Sequence, residues 1–179
     1  MSTIEILFRP LKMGNLELPN RVWMAPLTRC RAGLEHQPNA LMAEYYAQRA
    51  SAGLIIAEAT MAMEGNSAFW QEPGVHSQAQ IDGWRLVTDA VHAKGGKIFV
   101  QLMHTGRVAH QANLPAGAEV LGPSPEICPG EMWTDTQGSQ PHTPPRAMTE
   151  ADIQTVIGEY ATSARLAIEA GFDGIELHA

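Results

Sequence analysis

Thr28, Gln101 and His178 hydrogen-bond without a fixed charge, and each lies in or just beyond a short apolar run. The runs are Arg21-Val-Trp-Met-Ala-Pro26, Lys97-Ile-Phe-Val-Gln-Leu102 and Gly174-Ile-Glu-Leu-His178, and a fourth, Leu54-Ile-Ile-Ala-Glu58, leads into Ala59 and Thr60. If these runs are parallel strands, their carboxyl ends lie where α/β proteins bind ligands. The set suits a flat polar heteroaromatic ring and a neighbouring carbonyl. Thr28, Gln101 and His178 supply donors and acceptors, while Ala59 lets its backbone approach closely. Taken singly, Thr28 is an ordinary turn residue, Gln101 a buried amide and His178 a structural histidine; their shared placement carries the reading. The other histidines (His36, His76, His92, His104, His110 and His142) show no paired ligand spacing, so no metal is expected. Gly14, Gly106 and the later glycines form no GxGxxG or P-loop pattern.

The elements that must position these residues follow from local signals. Gly14-Asn15 sits between apolar residues and predicts a hairpin within about residues 7–20, feeding a first strand over Arg21–Ala25. Residues 38–52 lack internal Gly and Pro and predict a helix, with Gly53 as its stop before the second strand. Ser77-Gln-Ala-Gln80 is a capping box that starts a helix near Gln78; Ile81, Trp84, Val87 and Val91 give it an apolar face, and Gly95-Gly96 ends it. Thr149 with Asp152 is a weaker cap for a helix carrying Ile153, Val156, Ile157, Tyr160, Ala161, Ala164, Ala167 and Ile168, which Gly171 stops. Helix, glycine and buried strand thus recur, which is the rhythm of an α/β fold with parallel strands. Glu176 shares a strand face with His178 and, as a carboxylate among apolar residues, needs a partner, for which Arg21 is the candidate; Glu58 has the same need.

Between about residues 105 and 148 the rhythm gives way to a Pro-, Gly-, Ser- and Thr-rich stretch, read as an excursion over a binding face. The net charge of −7 argues against nucleic acid as a partner, and no apolar run approaches the roughly 20 residues of a membrane span. Two cysteines, Cys30 and Cys128, are too few for a disulfide framework and fit a reducing, cytoplasmic setting.

Six segments in this order resemble the old yellow enzymes, a family of flavin-dependent ene reductases built on an eight-stranded (β/α)8 TIM barrel. They are Leu7-Phe-Arg-Pro-Leu11, Asn20-Arg-Val-Trp-Met-Ala-Pro-Leu-Thr-Arg29, Glu44-Tyr-Tyr-Ala-Gln-Arg-Ala-Ser-Ala-Gly53, Ile56-Ala-Glu-Ala-Thr60, Gln101-Leu-Met-His-Thr-Gly-Arg107 and Gly171-Phe-Asp-Gly-Ile-Glu-Leu-His178. The resemblance implies that Pro26, Leu27 and Thr28 pass along an FMN ring, with the Thr28 hydroxyl near O4, and that Ala59 meets the same side through its backbone. It implies that Gln101 bonds the pyrimidine edge and that His178 grips the carbonyl oxygen of an electrophilic alkene. Hydride would pass from NADPH or NADH to FMN and then to the substrate β-carbon. Thr28 resembles the family's classical subgroup. Met103 stands where many classical members have Trp, and Phe69 where relatives often have Tyr, so these two are expected to shape the substrate pocket.

A barrel of this kind needs about 250 residues, and only four strands are counted in the 179 residues. Residues 1–179 are therefore expected to be the N-terminal half of one FMN-binding barrel domain, closed by a C-terminal half in the same or a second chain. Two other readings stay open at this point. One is a non-catalytic half-barrel binding or assembly module; the other is an iron-sulfur relative resembling the dienoyl-CoA reductases.

Overall fold

The computed structural model describes residues 4–134 and 136–178. The predicted hairpin is present as β1 (Leu11–Met13) and β2 (Leu16–Leu18), turned by Gly14 in the left-handed region. Strands and helices then alternate: β3 (Trp23–Met24), α1 (Ala40–Ala47), β4 (Leu54–Met61), α2 (Gln78–His92) and β5 (Ile98–Met103). The excursion follows with β6 (Leu121–Gly122), β7 (Glu131–Thr134), β8 (Gly138–Pro141) and β9 (Arg146–Ala147), before α3 (Glu150–Glu169) and β10 (Gly174–His178). β3, β4, β5 and β10 form one parallel sheet in the order β10-β5-β4-β3, so β3 and β10 are its edges.

The two faces of this sheet bury different layers. Ile55, Ala57, Ile98, Val100 and Leu102 pack with Tyr46 of α1, Trp84, Val87 and Val91 of α2, and Ala167 of α3. On the opposite face, Leu18 of the hairpin packs with Leu54, Ile56 and Phe99 near the start of β4 and β5. The hairpin thereby closes the amino end of that face and leaves the carboxyl-end positions for other work.

Both capping boxes are complete, and the Thr149–Asp152 box is as well made as the Ser77–Gln80 box, because Arg146 also holds the Asp152 carboxylate at 2.8 Å. Several boundaries differ from expectation. The first strand is confined to Trp23–Met24: the Arg21 amide is drawn to Leu7, the Val22 amide to the Asn20 side chain, and Pro26 has no N–H to donate. The first helix is shorter, Ala40–Ala47, and is capped by the side chain of the preceding Asn39. Gly53 is not a left-handed stop. A Cβ there would lie 2.1 Å from the Asn20 carbonyl oxygen, so the glycine serves close passage of two backbones. β4 extends to Met61 through a bulge between Ala57 and Ala59. The excursion folds into two small sheets, β6 with β9 and β7 with β8. No helix among the described residues is long and apolar enough to cross a membrane.

Candidate functional site

The carboxyl-end residues of the hairpin-side face line up in two rows. Ala59, Gln101 and Glu176 are register partners across β4, β5 and β10, and Met61, Met103 and His178 form the next row. Adjacent strands lie about 4.8 Å apart, so each row spans about 10 Å, the breadth of a fused ring system. The bulge makes this alignment possible. Without it, the alternation that points Leu54 and Ile56 to the hairpin side would carry on through Glu58 and turn Ala59 to the helices.

Gln101 is buried and its Nε2 donates to Glu176 Oε1 at 2.7 Å. Glu176 is therefore partnered by Gln101 and not by Arg21, which precedes β3 at the opposite end of the sheet with its amide bound to Leu7. This charge-assisted bond fixes the Gln101 amide, leaving one N–H and the carbonyl oxygen for a ligand. His178 is exposed beside Met103, and Leu177, on the helix side of β10, is 62% exposed.

Pro26, Leu27 and Thr28 follow β3 in irregular backbone, with Leu27 and Thr28 exposed. The Arg29 amide, one residue on, donates to Glu58 Oε2 at 2.9 Å, and Glu58 directly precedes Ala59. The structure thus brings the Thr28 turn to the bulge of β4. Glu58 Oε1 accepts from the Tyr46 hydroxyl at 3.0 Å, and the same hydroxyl accepts from the Glu58 amide at 2.9 Å. Burial pushes the Glu58 carboxyl above its ordinary range, against the pull of these donors, and burial likewise raises the Tyr46 hydroxyl well above its own. The sequence signalled a partner for Glu58 but not its identity: the partners are a tyrosine and backbone amides, not a basic side chain.

Phe69 lies apart from the rows, on the turn after β4. Glu72 closes that turn: Oε1 accepts from the Ala68 amide at 3.0 Å and Oε2 from the Phe69 amide at 3.4 Å. Burial raises the Glu72 carboxyl to about 8, while hydrogen bonds from Ala68, Ser67 and Phe69 oppose the rise. Asn113 of the excursion donates to the Ala68 and Trp133 carbonyls, joining this turn to β7. Neither Glu72 nor Asn113 was singled out by sequence: Glu72 acts within its own irregular turn, which no periodic pattern marks, and Asn113 acts on backbone carbonyls 45 and 20 residues away.

His104 has a structural place: burial lowers its pKa and Nδ1 accepts from the Gly106 amide at 3.0 Å. His92 bonds Asp173 at 2.8 Å. No cluster of three His, Cys, Asp or Glu side chains suited to a metal occurs among the described residues.

A family model described as the NADH:flavin oxidoreductase / NADH oxidase family matches residues 6–179. Among curated proteins, a "probable flavin mononucleotide-dependent alkene reductase" of Leishmania infantum is 43% identical over 98% of this chain and 49% of its own length. Among solved structures, morphinone reductase in complex with tetrahydroNAD aligns with a TM-score of 0.92 at 44% identity, covering 97% of this chain and 49% of that one. The old yellow enzyme homologue from Zymomonas mobilis aligns with a TM-score of 0.92 at 44% identity, covering 97% of this chain and 48% of its own. The chain spans about half the length of the relatives it matches.

Proposed function

The chain belongs to the NADH:flavin oxidoreductase / NADH oxidase family, and from that premise we propose that it supplies the ring-binding half of an FMN-dependent ene reductase acting on electrophilic alkenes. The observation that carries the reading is the row Ala59, Gln101 and Glu176 beside the Thr28 turn. Its donor set fits a flavin ring. Gln101, held by Glu176, presents one N–H and one C=O, the pattern that matches a carbonyl next to an N–H on the pyrimidine edge. Ala59 adds only a methyl group, so a ring can lie against its backbone. Thr28 contributes a hydroxyl, and Pro26 and Leu27 give the ring an apolar border.

FMN held by Thr28, Ala59 and Gln101 would supply hydride chemistry, with NADPH or NADH as reductant and the β-carbon of an α,β-unsaturated carbonyl or nitro compound as acceptor. The protein's contribution is electrostatic and positional. Donors at the pyrimidine edge stabilise negative charge on the reduced ring, and a hydrogen bond from His178 to the substrate oxygen polarises the alkene. Met103 borders His178 in register, and Phe69 stands on the turn that Glu72 closes; both shape the substrate's place. The other half of the barrel, in the same or a second chain, packs along the open edges β3 and β10, where Val22, Trp23 and Leu177 are exposed.

The test is turnover by the protein isolated from its own cells, in which the barrel is closed by whichever chain supplies the second half. NADPH or NADH oxidation that depends on added cyclohexenone, with saturated ketone as product, is expected. A protein that carries no flavin, or whose oxidation of NAD(P)H ignores every activated alkene offered, would overturn the reading in favour of a non-catalytic module.

A further inference from the structure

Glu58 is one of the most buried side chains in the molecule, 1% exposed, and the proposed chemistry gives it no task. It is the extra residue of the β4 bulge: Ala57 pairs with Val100 and Ala59 with Gln101, so Glu58 has no register partner on β5. Its backbone N–H donates to the Tyr46 hydroxyl instead, and that hydroxyl donates to the Glu58 carboxylate. The other carboxylate oxygen takes the Arg29 amide, and the Cys30 amide also bonds the carboxylate. Cys30 has a φ of 51°, the left-handed conformation that lets successive amides converge on one anion. A non-glycine residue holds that conformation at a cost, which the carboxylate offsets by accepting the converging amides.

We infer that Glu58 is a positioning residue, whose carboxylate clamps the turn after β3 to the bulge of β4 and so sets Thr28 and Ala59 against each other at the ring site. The inference rests on the flavin reading for its functional consequence, but the clamp itself stands on these bonds. Glu58 does not act on substrate. It is turned towards α1, on the helix side of the sheet, whereas Ala59 and Gln101 share the opposite face. Arg29 and Arg31 border a cavity of about 160 Å³ that Glu58 also lines, yet the bonds that close on its carboxylate come from Tyr46 and from backbone. The clamp is thus directional, with two oxygens each facing defined donors, and it ties together three elements: α1, β4 and the turn beyond β3.

The test compares the native protein with Glu58→Gln and Tyr46→Phe. A carboxamide keeps the size of glutamate but offers one acceptor oxygen where three donors converge. Glu58→Gln is expected to weaken FMN binding about tenfold, and Tyr46→Phe by less, because one donor of the three is lost. Both variants are also expected to shift the visible band of bound flavin and to speed hydrogen exchange at the Arg29 and Cys30 amides. A loss of overall stability alone would lower the bound fraction without moving the band. If Glu58→Gln folds with unchanged affinity, band and exchange rates, the inference is overturned. If it does not fold, Tyr46→Phe decides by the same three readings. If the native protein binds no flavin, the functional reading fails separately, and unchanged Arg29 and Cys30 exchange in the variants would then overturn the clamp.

Discussion

Replacing Glu72 by glutamine should remove a specific pH dependence of stability. The carboxyl is fully buried, closes the turn that bears Phe69, and is raised from 4.5 to about 8, chiefly by loss of water around it. Because its folded value exceeds its unfolded value, the folded protein keeps a proton that the unfolded chain releases over this range. Stability therefore falls as pH rises from 4.5 towards 8 and levels off above it. Between pH 5.5 and pH 8 the slope corresponds to about 1.4 kcal/mol per unit, an upper bound of roughly 3 kcal/mol. Glutamine has no proton to release, and its oxygen can still accept from the Ala68 amide. Urea unfolding of the native protein and Glu72→Gln, measured at half-unit intervals of pH, should give curves that converge near pH 5.5 and separate by about 2–3 kcal/mol in favour of the variant near pH 8. Parallel curves over this range would refute the argument, since Glu72 would then titrate alike in the two states.

Two glycines should respond to alanine with opposite signs: Gly53→Ala brings a Cβ to 2.1 Å from the Asn20 oxygen and should destabilise by about 2–3 kcal/mol, whereas Gly158→Ala, in α3 with open space around it, should stabilise by about 0.5–1 kcal/mol. Urea midpoints measure both, and a neutral Gly53→Ala would remove the argument for close backbone passage. Asp173→Asn should cost about 2 kcal/mol at neutral pH: although burial opposes its charge, hydrogen bonds from Lys97, His92 and the Ile98 amide hold its carboxyl below the ordinary range. That contribution is present above the unfolded carboxyl's pKa and is lost as pH falls through the folded one, so variant and native protein should converge in acid. A gap that persists or widens in acid would contradict it.

Local signals were legible and tertiary ones were not. The Ser77 and Thr149 capping boxes and the left-handed stops at Gly95 and Gly171 depend on neighbours within a few residues, and the structure contains each. That Ala59, Gln101 and His178 lie towards strand carboxyl ends was legible from the apolar runs, but their alignment into rows was not, since Ala59 comes to face the same way as Gln101 only through the bulge. Gly53 was misread because its constraint comes from Asn20, 33 residues away, rather than from the helix before it. Arg21 failed as the partner of Glu176 because register, which pairs Glu176 with Gln101, cannot be counted from one strand alone. The bulge at Glu58 left no mark in an apolar run that reads as uninterrupted strand. The excursion's sheets were equally hidden, since Leu121 pairs with Arg146 across a long loop of turn-forming residues.

The central claim is that β3, β4 and β5 end against one side of a flavin ring. It is tested most directly by the FMN affinity of the native protein and of Gln101→Ala, read from flavin absorbance in an equilibrium titration. The native protein is expected to bind FMN and the variant to lose at least about tenfold in affinity, because alanine removes both the N–H and the C=O that would meet the ring edge. Equal affinity in the two proteins, or binding by neither, would contradict the claim.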